Sequence, residues 1–271
     1  MGMFQYTVDK TLLPGQLAAV FVESYEDKET LEFLDDCRRN PHTRPQLLLA
    51  RLLSLALPDY EVHGLLGLYP MHLLSAAQWL QLAGGPKQKL LDIGAGQGFV
   101  TFKAKNTFKE ISVTETSQSM LKILQKHGFI IYKKNLSLPL PEAEEKFDVI
   151  SILNVLDRCD FPLTMLDNAV SLLKPDGLLI IATPLPLKPY VRDVGGKRDQ
   201  RQALPTMADP GWERQLNFFS EKILRPARLE ITRFTRLPYI WKNGQPECFS
   251  YLDDAVMVCK KQPIDQSQVL E

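Results

Sequence analysis

The chain is poor in the residues that build metal sites and disulfide frameworks. It has four cysteines and four histidines among 271 residues, and no two cysteines form a Cys-x-x-Cys pair. This pattern offers neither a zinc site nor a thioredoxin-like motif, and cysteine is too sparse for a disulfide scaffold. We therefore expect no metal. The residues in question are Cys37, Cys159, Cys248 and Cys259, and His42, His63, His72 and His127.

The chain also lacks an excess of either charge and a long apolar run. Lysine plus arginine and aspartate plus glutamate each number 32. This balance argues against a protein that holds nucleic acid mainly through phosphates, so we expect no nucleic-acid partner. The longest apolar segment, Gln46–Leu57, is interrupted by Arg51 and is shorter than the roughly 20 residues of a membrane span. Tyr6 stands where a myristoylation signal needs Ser or Thr, and no secretory leader is recognisable.

Changes in pattern divide the chain into three predicted parts. Residues 1–86 are predicted to form an N-terminal helical extension, 87–262 an α/β domain, and 263–271 a flexible polar tail. Gly84-Gly85-Pro86 marks the first boundary, and prolines separate the apolar segments before it. Helical spacing of apolar residues predicts the extension's helices at Gln16–Glu26, Thr30–Arg39, Gln46–Leu57 and Met71–Leu82.

From Lys89 onward, short apolar runs alternate with amphipathic segments. This alternation predicts a mostly parallel, seven-stranded sheet with helices on both faces. The last two strands have no helix between them and are expected to pair antiparallel. The strands are predicted at Lys89–Ile93, Glu110–Glu115, Ile130–Lys133, Phe147–Leu153, Leu178–Ala182, Leu229–Thr235 and Ala255–Lys260, and the helices at Phe99–Thr107, Gln118–His127, Pro162–Leu173 and Glu213–Ile223.

A glycine-rich loop, Asp92-Ile-Gly94-Ala95-Gly96-Gln-Gly98, follows the first strand and opens a helix. A dinucleotide-binding loop needs glycine where Phe99 stands, and a P-loop needs Gly-Lys-Ser/Thr, so neither ligand is indicated. The acid two residues before the first glycine is typical of S-adenosylmethionine sites. We therefore predict that Asp92 and the Gly94–Gly96 backbone hold this cofactor. The alternative is a generic strand–turn–helix with a solvated acid.

Further cofactor contacts are predicted at the ends of the next strands. Glu115 ends the second strand about 20 residues beyond the loop, where a carboxylate binds the ribose hydroxyls, and Thr116 follows it. Asn135 follows the third strand and either contacts the adenine or is a turn residue before Pro139.

Polar residues also follow the nearly all-apolar fourth strand. Asn154 ends that strand, and Asp157 comes three residues later. In a doubly wound sheet this carboxyl edge faces the ligand, so both residues are candidates to bind and orient a methyl acceptor, Asn154 also touching the cofactor. The alternative makes Asn154 a turn residue and Asp157 a cap for the helix that begins near Pro162.

Several motifs resemble the DREV family of protein-histidine N-pros methyltransferases. The resemblance covers roughly residues 15–261. All class I methyltransferases share the glycine loop, so the resemblance depends on other blocks that are specific to this family. The matching stretches are His63-Gly-Leu-Leu-Gly67, Asn154-Val-Leu-Asp-Arg-Cys-Asp160 with Pro162-Leu-Thr164, Pro189-Tyr-Val with Val194-Gly-Gly-Lys197, Phe234-Thr-Arg-Leu-Pro-Tyr239 and Leu252-Asp-Asp-Ala-Val256.

The resemblance implies a class I, Rossmann-like methyltransferase fold. It also implies methyl transfer from S-adenosylmethionine, yielding S-adenosylhomocysteine, to histidines in His-x-His sequences of proteins. Asp92, Gly94, Gly96 and Glu115 match the family's cofactor residues, and Asn154 and Asp157 its active-site pair. We expect peptide contacts from Arg158, Tyr190, Gly195, Gly196, Tyr239 and Tyr251. A tight turn and core tyrosines are the alternative interpretation of this last group.

The chain departs from the family pattern in three places. Gln97 stands where the family often has aspartate, the segment between Asn135 and Phe147 differs in composition, and the segment Asn243–Tyr251 is shorter, with Ser250 and Tyr251 replacing a tyrosine-rich stretch. The last departure bears on peptide selectivity. Family members often carry a leader, so the resemblance suggests the endoplasmic reticulum or a mitochondrion, with the cytoplasm as the alternative. Two rival functions are a small-molecule methyltransferase and a catalytically silent cofactor-binding scaffold.

Overall fold

The computed structural model describes residues 3–138, 146–193 and 196–262. Gly195 and the tail at 263–271, two of the predicted features, lie outside these residues. The strands are β1 Met71–His72, β2 Lys87–Ile93, β3 Phe108–Thr114, β4 Ile130–Ile131, β5 Phe147–Leu153, β6 Leu173–Pro184, β7 Val191–Asp193, β8 Gly196–Arg198, β9 Leu229–Lys242 and β10 Phe249–Lys261. The helices are α1 Gly15–Ala19, α2 Lys28–Arg39, α3 Arg44–Leu53, α4 Asp59–Leu66, α5 Ala76–Ala83, α6 Phe99–Phe102, α7 Gln118–Lys126, α8 Pro162–Leu172 and α9 Trp212–Phe219.

One sheet organises the chain, in the strand order β1-β9-β10-β6-β5-β2-β3-β4. Strand β2 pairs in parallel with β3 and β5, and β5 pairs in parallel with β6. Strands β9 and β10 pair antiparallel, as predicted. Apolar clusters cover both faces of the sheet, one around Phe147 and Phe234 and the other around Trp79 and Leu90. The mostly parallel α/β architecture is therefore confirmed.

The predicted strand count of seven is one too low, because residues assigned to a helix form β1. Met71 and His72 pair with Trp241 and Ile240 of β9. The predicted helix Met71–Leu82 begins only at Ala76. Ser75 caps it, since its hydroxyl accepts from the Gln78 amide while the Gln78 side chain accepts from the Ser75 amide. This capping box ends the extended segment and starts α5.

In the extension, three of the four predicted helices are shorter than predicted, α2 begins two residues earlier than the predicted Thr30–Arg39, and one further helix is present. The predicted helix Gln16–Glu26 ends at Ala19, because the chain then runs extended and the Val22 amide donates to the Phe234 carbonyl. Helix α4, Asp59–Leu66, was not predicted; it follows Pro58 and ends at Gly67 in the left-handed conformation. None of the helices in the described part of the chain combines the length and apolarity that a bilayer crossing requires.

Several other element ends differ from prediction because tertiary pairing overrides local pattern. Strand β4 covers only Ile130–Ile131 of the predicted Ile130–Lys133. Strand β6 begins at Leu173, before the predicted Leu178, and Pro175-Asp-Gly177 bulges from it where the register against β5 jumps from Leu173 to Leu178. Strands β9 and β10 extend past their predicted ends at the sheet's carboxyl edge, and this extra length brings new side chains beside Asn154.

Candidate active site

The glycine loop is fastened to the neighbouring strand by backbone hydrogen bonds. The Gly94 and Ala95 amides both donate to the Thr114 carbonyl at 3.0 Å, and the Gly94 amide also lies 3.1 Å from the Thr114 hydroxyl. Gly98 starts α6 with a φ of +81°. A Cβ there would lie 2.8 Å from Leu124 Cδ2, so this glycine serves helix packing.

Gly96 differs from the other loop glycines because the space above it is open. Its φ is +59°, and a Cβ built on it would meet no heavy atom within 4 Å. A Cβ on Gly94, by contrast, would lie 2.7 Å from Val155 Cγ2. The loop therefore leaves room for a ligand over Gly96 while packing tightly on either side.

Asp92 lies beneath this loop and is fully enclosed. Its two carboxylate oxygens accept hydrogen bonds from the Ser151 hydroxyl at 2.6 Å and the Thr101 hydroxyl at 2.5 Å. Burial raises the pKa of Asp92 to about 6, against the lowering effect of these two hydroxyls. Asp92 thus ties β2, β5 and α6 together and also contributes to the wall of the pocket described below.

The predicted ribose acid, Glu115, lies beside the loop at the end of β3. Its Oε2 accepts from the Gly96 amide at 2.9 Å, and its Oε1 accepts from the amides of Thr116 and Ser117. Glu115 is half-buried, whereas Thr116 is exposed. The carboxylate therefore reaches the open position of the loop.

Asn135 lies farther along the chain in an exposed turn. Its side-chain oxygen accepts a hydrogen bond from the Ser137 amide at 3.0 Å. This is the geometry of a turn asparagine. It does not contribute to the pocket beside the glycine loop.

That pocket is built from both the sheet domain and the helical extension. The Gln97 amide group donates to the Leu68 carbonyl at 2.6 Å, which joins the loop to the extension. His63 packs against Tyr69 with ring centroids 4.5 Å apart, and burial lowers the pKa of His63 to about 4. The lining residues are His63, Tyr69, Met71, Asp92, Gly94–Gln97, Phe99, Val100, Met120, Leu153 and Tyr239.

Asn154 ends β5 in a left-handed conformation that fixes its side chain. Its φ is +57°, and its amide donates to the Ala182 carbonyl. Its side-chain nitrogen donates to Asp254 Oδ2 at 2.6 Å. Its side-chain oxygen is buried and accepts no hydrogen bond from any described residue. The side-chain oxygen of Asn154 can therefore accept a hydrogen bond from a ligand.

Asp157 is fully buried, and neither of its carboxylate oxygens receives a hydrogen bond from a described residue. Arg158 Nη1 lies 2.5 Å from Asp157 Oδ2, but its hydrogen bonds go to the backbone carbonyls of Asp157 and Lys188. Burial raises the pKa of Asp157, opposed by the Arg158 charge. The carboxylate is thus partly neutralised but has unused accepting capacity.

Asp254 completes this polar group and was missed as a site residue by sequence reasoning. It lies on β10, fully buried, and its second carboxylate oxygen has no partner among the described residues. Burial raises its pKa well above the ordinary value, and the charge of Asp157 adds to the rise. The available signal was an aspartate inside an apolar strand, next to Asp253, which must point to the opposite face.

Two of the predicted peptide residues, Tyr190 and Arg158, contact each other near this group. The Arg158 guanidinium lies 4.0 Å from the Tyr190 ring centroid, and the ammonium of Lys197, which was not predicted as a peptide contact, lies 4.1 Å from it. Gly196 begins β8, is exposed and has a φ of +108°. The β7–β8 hairpin is held by Arg198, whose guanidinium forms two hydrogen bonds to Asp160.

The two predicted tyrosines of the last strands lie on opposite faces of the sheet. The Tyr239 hydroxyl contacts the Met71 sulfur, and the ring contributes to the pocket wall. Burial raises the pKa of Tyr239, and the charges of Asp254 and Asp157 raise it further. Tyr251 packs edge-on against Phe4 at 4.9 Å, on the side of the sheet away from Tyr239. The structure therefore brings Tyr239, but not Tyr251, to the pocket.

Comparison with known proteins gives both a family and distant relatives. A family model described as DREV methyltransferase matches residues 5–261. The ubiquinone biosynthesis O-methyltransferase of Actinobacillus pleuropneumoniae is 27% identical over 175 residues, covering 59% of this chain and 71% of the relative. The corresponding protein of Ruegeria pomeroyi is 27% identical over 164 residues, covering 53% and 65%.

Similar solved structures include two N-methyltransferases. The 1,6-didemethyltoxoflavin N1-methyltransferase of Burkholderia thailandensis aligns with a TM-score of 0.48 and 21% identity, covering 69% of this chain and 76% of that one. NodS from Bradyrhizobium japonicum aligns with a TM-score of 0.44 and 16% identity, covering 69% and 86%.

Proposed function

This chain belongs to the DREV methyltransferase family and is an S-adenosylmethionine-dependent methyltransferase, and on that premise we propose that it methylates the N-pros nitrogen of histidine in His-x-His sequences of proteins. The loop fits the cofactor, because the open space over Gly96 lies beside the Glu115 carboxylate. A nucleoside ribose offers two hydroxyl donors to such a carboxylate. Gly94, Ala95 and Gly96 would hold the remainder of the molecule.

One observation supports histidine as the methyl acceptor. The polar end of the site presents buried oxygens that accept no hydrogen bond from a described residue: Asn154 Oδ1, Asp254 Oδ1 and both carboxylate oxygens of Asp157, of which Oδ2 lies against the Arg158 guanidinium. Buried polar atoms are normally satisfied, so a ligand that donates hydrogen bonds fits here. A neutral imidazole fits, since it offers one N–H donor and one nucleophilic lone pair. A phenolate does not fit, because it has no hydrogen to donate to these oxygens.

When bound, the cofactor would supply a methyl group attached to a positively charged sulfur. A nitrogen lone pair that bonds to this methyl carbon would displace the sulfur, which leaves as the neutral thioether of S-adenosylhomocysteine. The protein's task is to align a neutral nucleophile with that methyl. Asp157 accepts the hydrogen bond of the N-tele proton and so selects the ring tautomer whose N-pros lone pair is free. Its raised pKa suits it to take up that proton after transfer.

Asn154 and Asp254 act together in this proposal. Asp254 accepts from the side-chain nitrogen of Asn154, which leaves the Asn154 oxygen as the end available to the substrate. Asp254 is thus a positioning residue. The Tyr190 ring, flanked by Arg158 and Lys197, together with the exposed backbone of Gly196, would contact the peptide on either side of the histidine.

Small-molecule methylation is the second candidate, favoured by the names of the ubiquinone biosynthesis O-methyltransferase relatives. The buried acceptor oxygens weigh against an anionic oxygen nucleophile, which has no hydrogen to donate to them. The two candidates separate in one experiment. The enzyme is incubated with methyl-labelled cofactor and either a His-Ala-His-Ala-His peptide or a metabolite extract. Label in the peptide supports histidine methylation, and label only in small molecules supports the rival.

The Asp157→Asn variant tests the mechanism. Its kcat on the peptide should fall by about two to four decades, the usual effect of losing a catalytic proton partner, with cofactor affinity unchanged. Asp167→Asn is the matched control, because Asp167 is an exposed residue of α8. Product chromatography against N-pros and N-tele methylhistidine standards assigns the nitrogen. N-tele product, or full activity in Asp157→Asn, would contradict the assignment of Asp157.

A further inference from the structure

Helix α3 is apolar on two opposite faces, although only one of them is packed. On the inner face Ala50 packs with Val62 and Leu68. On the outer face three leucines at helical spacing are exposed, Leu48 at 61%, Leu52 at 56% and Leu55, in the turn after the helix, at 78%. A helix that is apolar all round is normally buried on all sides. This outward face is therefore unusual for a surface helix.

We propose that this outward leucine face of α3, which consists of Leu48, Leu52 and Leu55, binds the surface of an anionic membrane. An amphipathic helix binds a bilayer by lying in its plane, with leucines inserted at the boundary of the headgroups and acyl chains and basic side chains reaching the phosphates. The three leucines provide the apolar part of such a surface.

The charges around the face fit anionic lipid. Arg44 and Arg51 are exposed on α3 and form an ion pair with none of the residues that the structure describes. At 100° per residue, both arginines fall along one flank of the leucine face. No aspartate or glutamate occurs from Thr43 to Pro58. A second copy of the same face would bring four arginines together without a carboxylate from this segment to pair them. Lipid phosphates neutralise them instead.

The leucine face is separate from the active site, because none of its residues contributes to the pocket. Its loss can therefore be tested without loss of catalysis. The full chain is sedimented with vesicles of phosphatidylcholine alone or of phosphatidylcholine with phosphatidylserine. We expect binding to the anionic vesicles that weakens as salt is raised.

Two variants separate the apolar contribution from the charged one. Changing Leu48, Leu52 and Leu55 together to serine should weaken anionic-vesicle binding at least about tenfold, since each leucine loses apolar burial. Changing Arg44 and Arg51 to glutamine should weaken it by about fivefold per arginine and remove the salt dependence. Leu31→Ser, at an exposed leucine of α2 outside the face, is the matched control and should bind as the unaltered chain does.

Cofactor affinity, measured by calorimetry, checks that each variant is folded. Three results would overturn the proposal. The first is no sedimentation of the unaltered chain with anionic vesicles. The second is equal sedimentation of the triple-serine variant. The third is a concentration-dependent dimer, seen by analytical ultracentrifugation, that the triple-serine variant abolishes, since this would make the face a self-association surface.

Discussion

The hydrogen bond between Asn154 and Asp254 gives a quantitative prediction. Asn154 Nδ2 donates to Asp254 Oδ2 at 2.6 Å; Asp254 is fully buried and Asn154 is half-buried. An asparagine amide is nearly symmetric in shape, so only its partners decide which end faces the substrate. Asp254→Leu removes the acceptor, keeps the same branched arrangement of side-chain heavy atoms and frees the Asn154 amide to rotate. Asp254→Asn keeps an acceptor oxygen but cannot ionise.

The magnitude follows from the hydrogen bond that is lost. Because burial raises the pKa of Asp254 well above its ordinary value, the bond is taken as one between neutral groups, which contributes about 0.5–1.5 kcal/mol. Each 1.4 kcal/mol is about tenfold in rate, so kcat of Asp254→Leu should fall by about 2- to 12-fold. Cofactor affinity should hold, because Asp254 does not touch the glycine loop. Asp254→Asn should retain most of the turnover.

The assay is steady-state methylation of the His-Ala-His-Ala-His peptide, with kcat and KM determined separately. Asp253→Asn is the matched control, because Asp253 is adjacent on β10 but pairs with Arg236 on the opposite face. It should lose stability rather than turnover. Full turnover in a folded Asp254→Leu enzyme would refute the positioning role. An equal loss in the leucine and asparagine variants would show that the charge, rather than the amide orientation, matters.

Two further predictions concern the base of the cofactor loop. Gly96→Arg should abolish cofactor binding, measured by calorimetry, and should lower the melting temperature only by the strain of a side chain at its φ of +59°. Gly98→Ala should lower the melting temperature further, because its φ is also positive and its Cβ would lie 2.8 Å from Leu124 Cδ2. The opposite pattern would show that the two glycines have been assigned the wrong roles. For Asp92, the pKa is raised from 3.8 to about 6 by burial, so its contribution to stability is present below pH 3.8 and is lost as pH rises through about 6. At pH 7.5 the Asp92→Asn variant should therefore have a higher free energy of unfolding than the unaltered chain, as measured with urea. This gain in stability should exceed any gain at pH 4 by about 1–3 kcal/mol. A difference in stability that does not change with pH would contradict the prediction.

The parts of the fold that were predictable are those where local pattern and tertiary structure agree. Strand β5 runs Phe147–Leu153 as predicted, because an all-apolar run suits a strand buried on both faces. The glycine loop was predictable because positive φ angles and close packing restrict its residues to glycine.

The parts that failed depend on distant residues. Met71 and His72 have helical spacing with the residues after them, yet they pair with the far end of β9. Asp254 lies in one of the stretches that resemble the family, but its role was not predicted, since that role comes from register. It lies opposite Pro184 at the end of β6, which brings it beside Asn154. Cross-strand register of this kind is set by the whole sheet rather than by local sequence.

The contact between Tyr239 and Met71 joins residues 168 positions apart, so the pocket wall draws on both the early and the late parts of the chain.

The order of synthesis also matters for β6. On the ribosome, β6 emerges with one edge unpaired, and that edge stays unpaired until β10, the last strand that the structure describes, has been synthesised. An unpaired apolar edge is the kind of surface on which nascent chains aggregate. The catalytic polar group and the protection of that edge arise together, when β10 docks, so a translation product arrested before β10 would lack both.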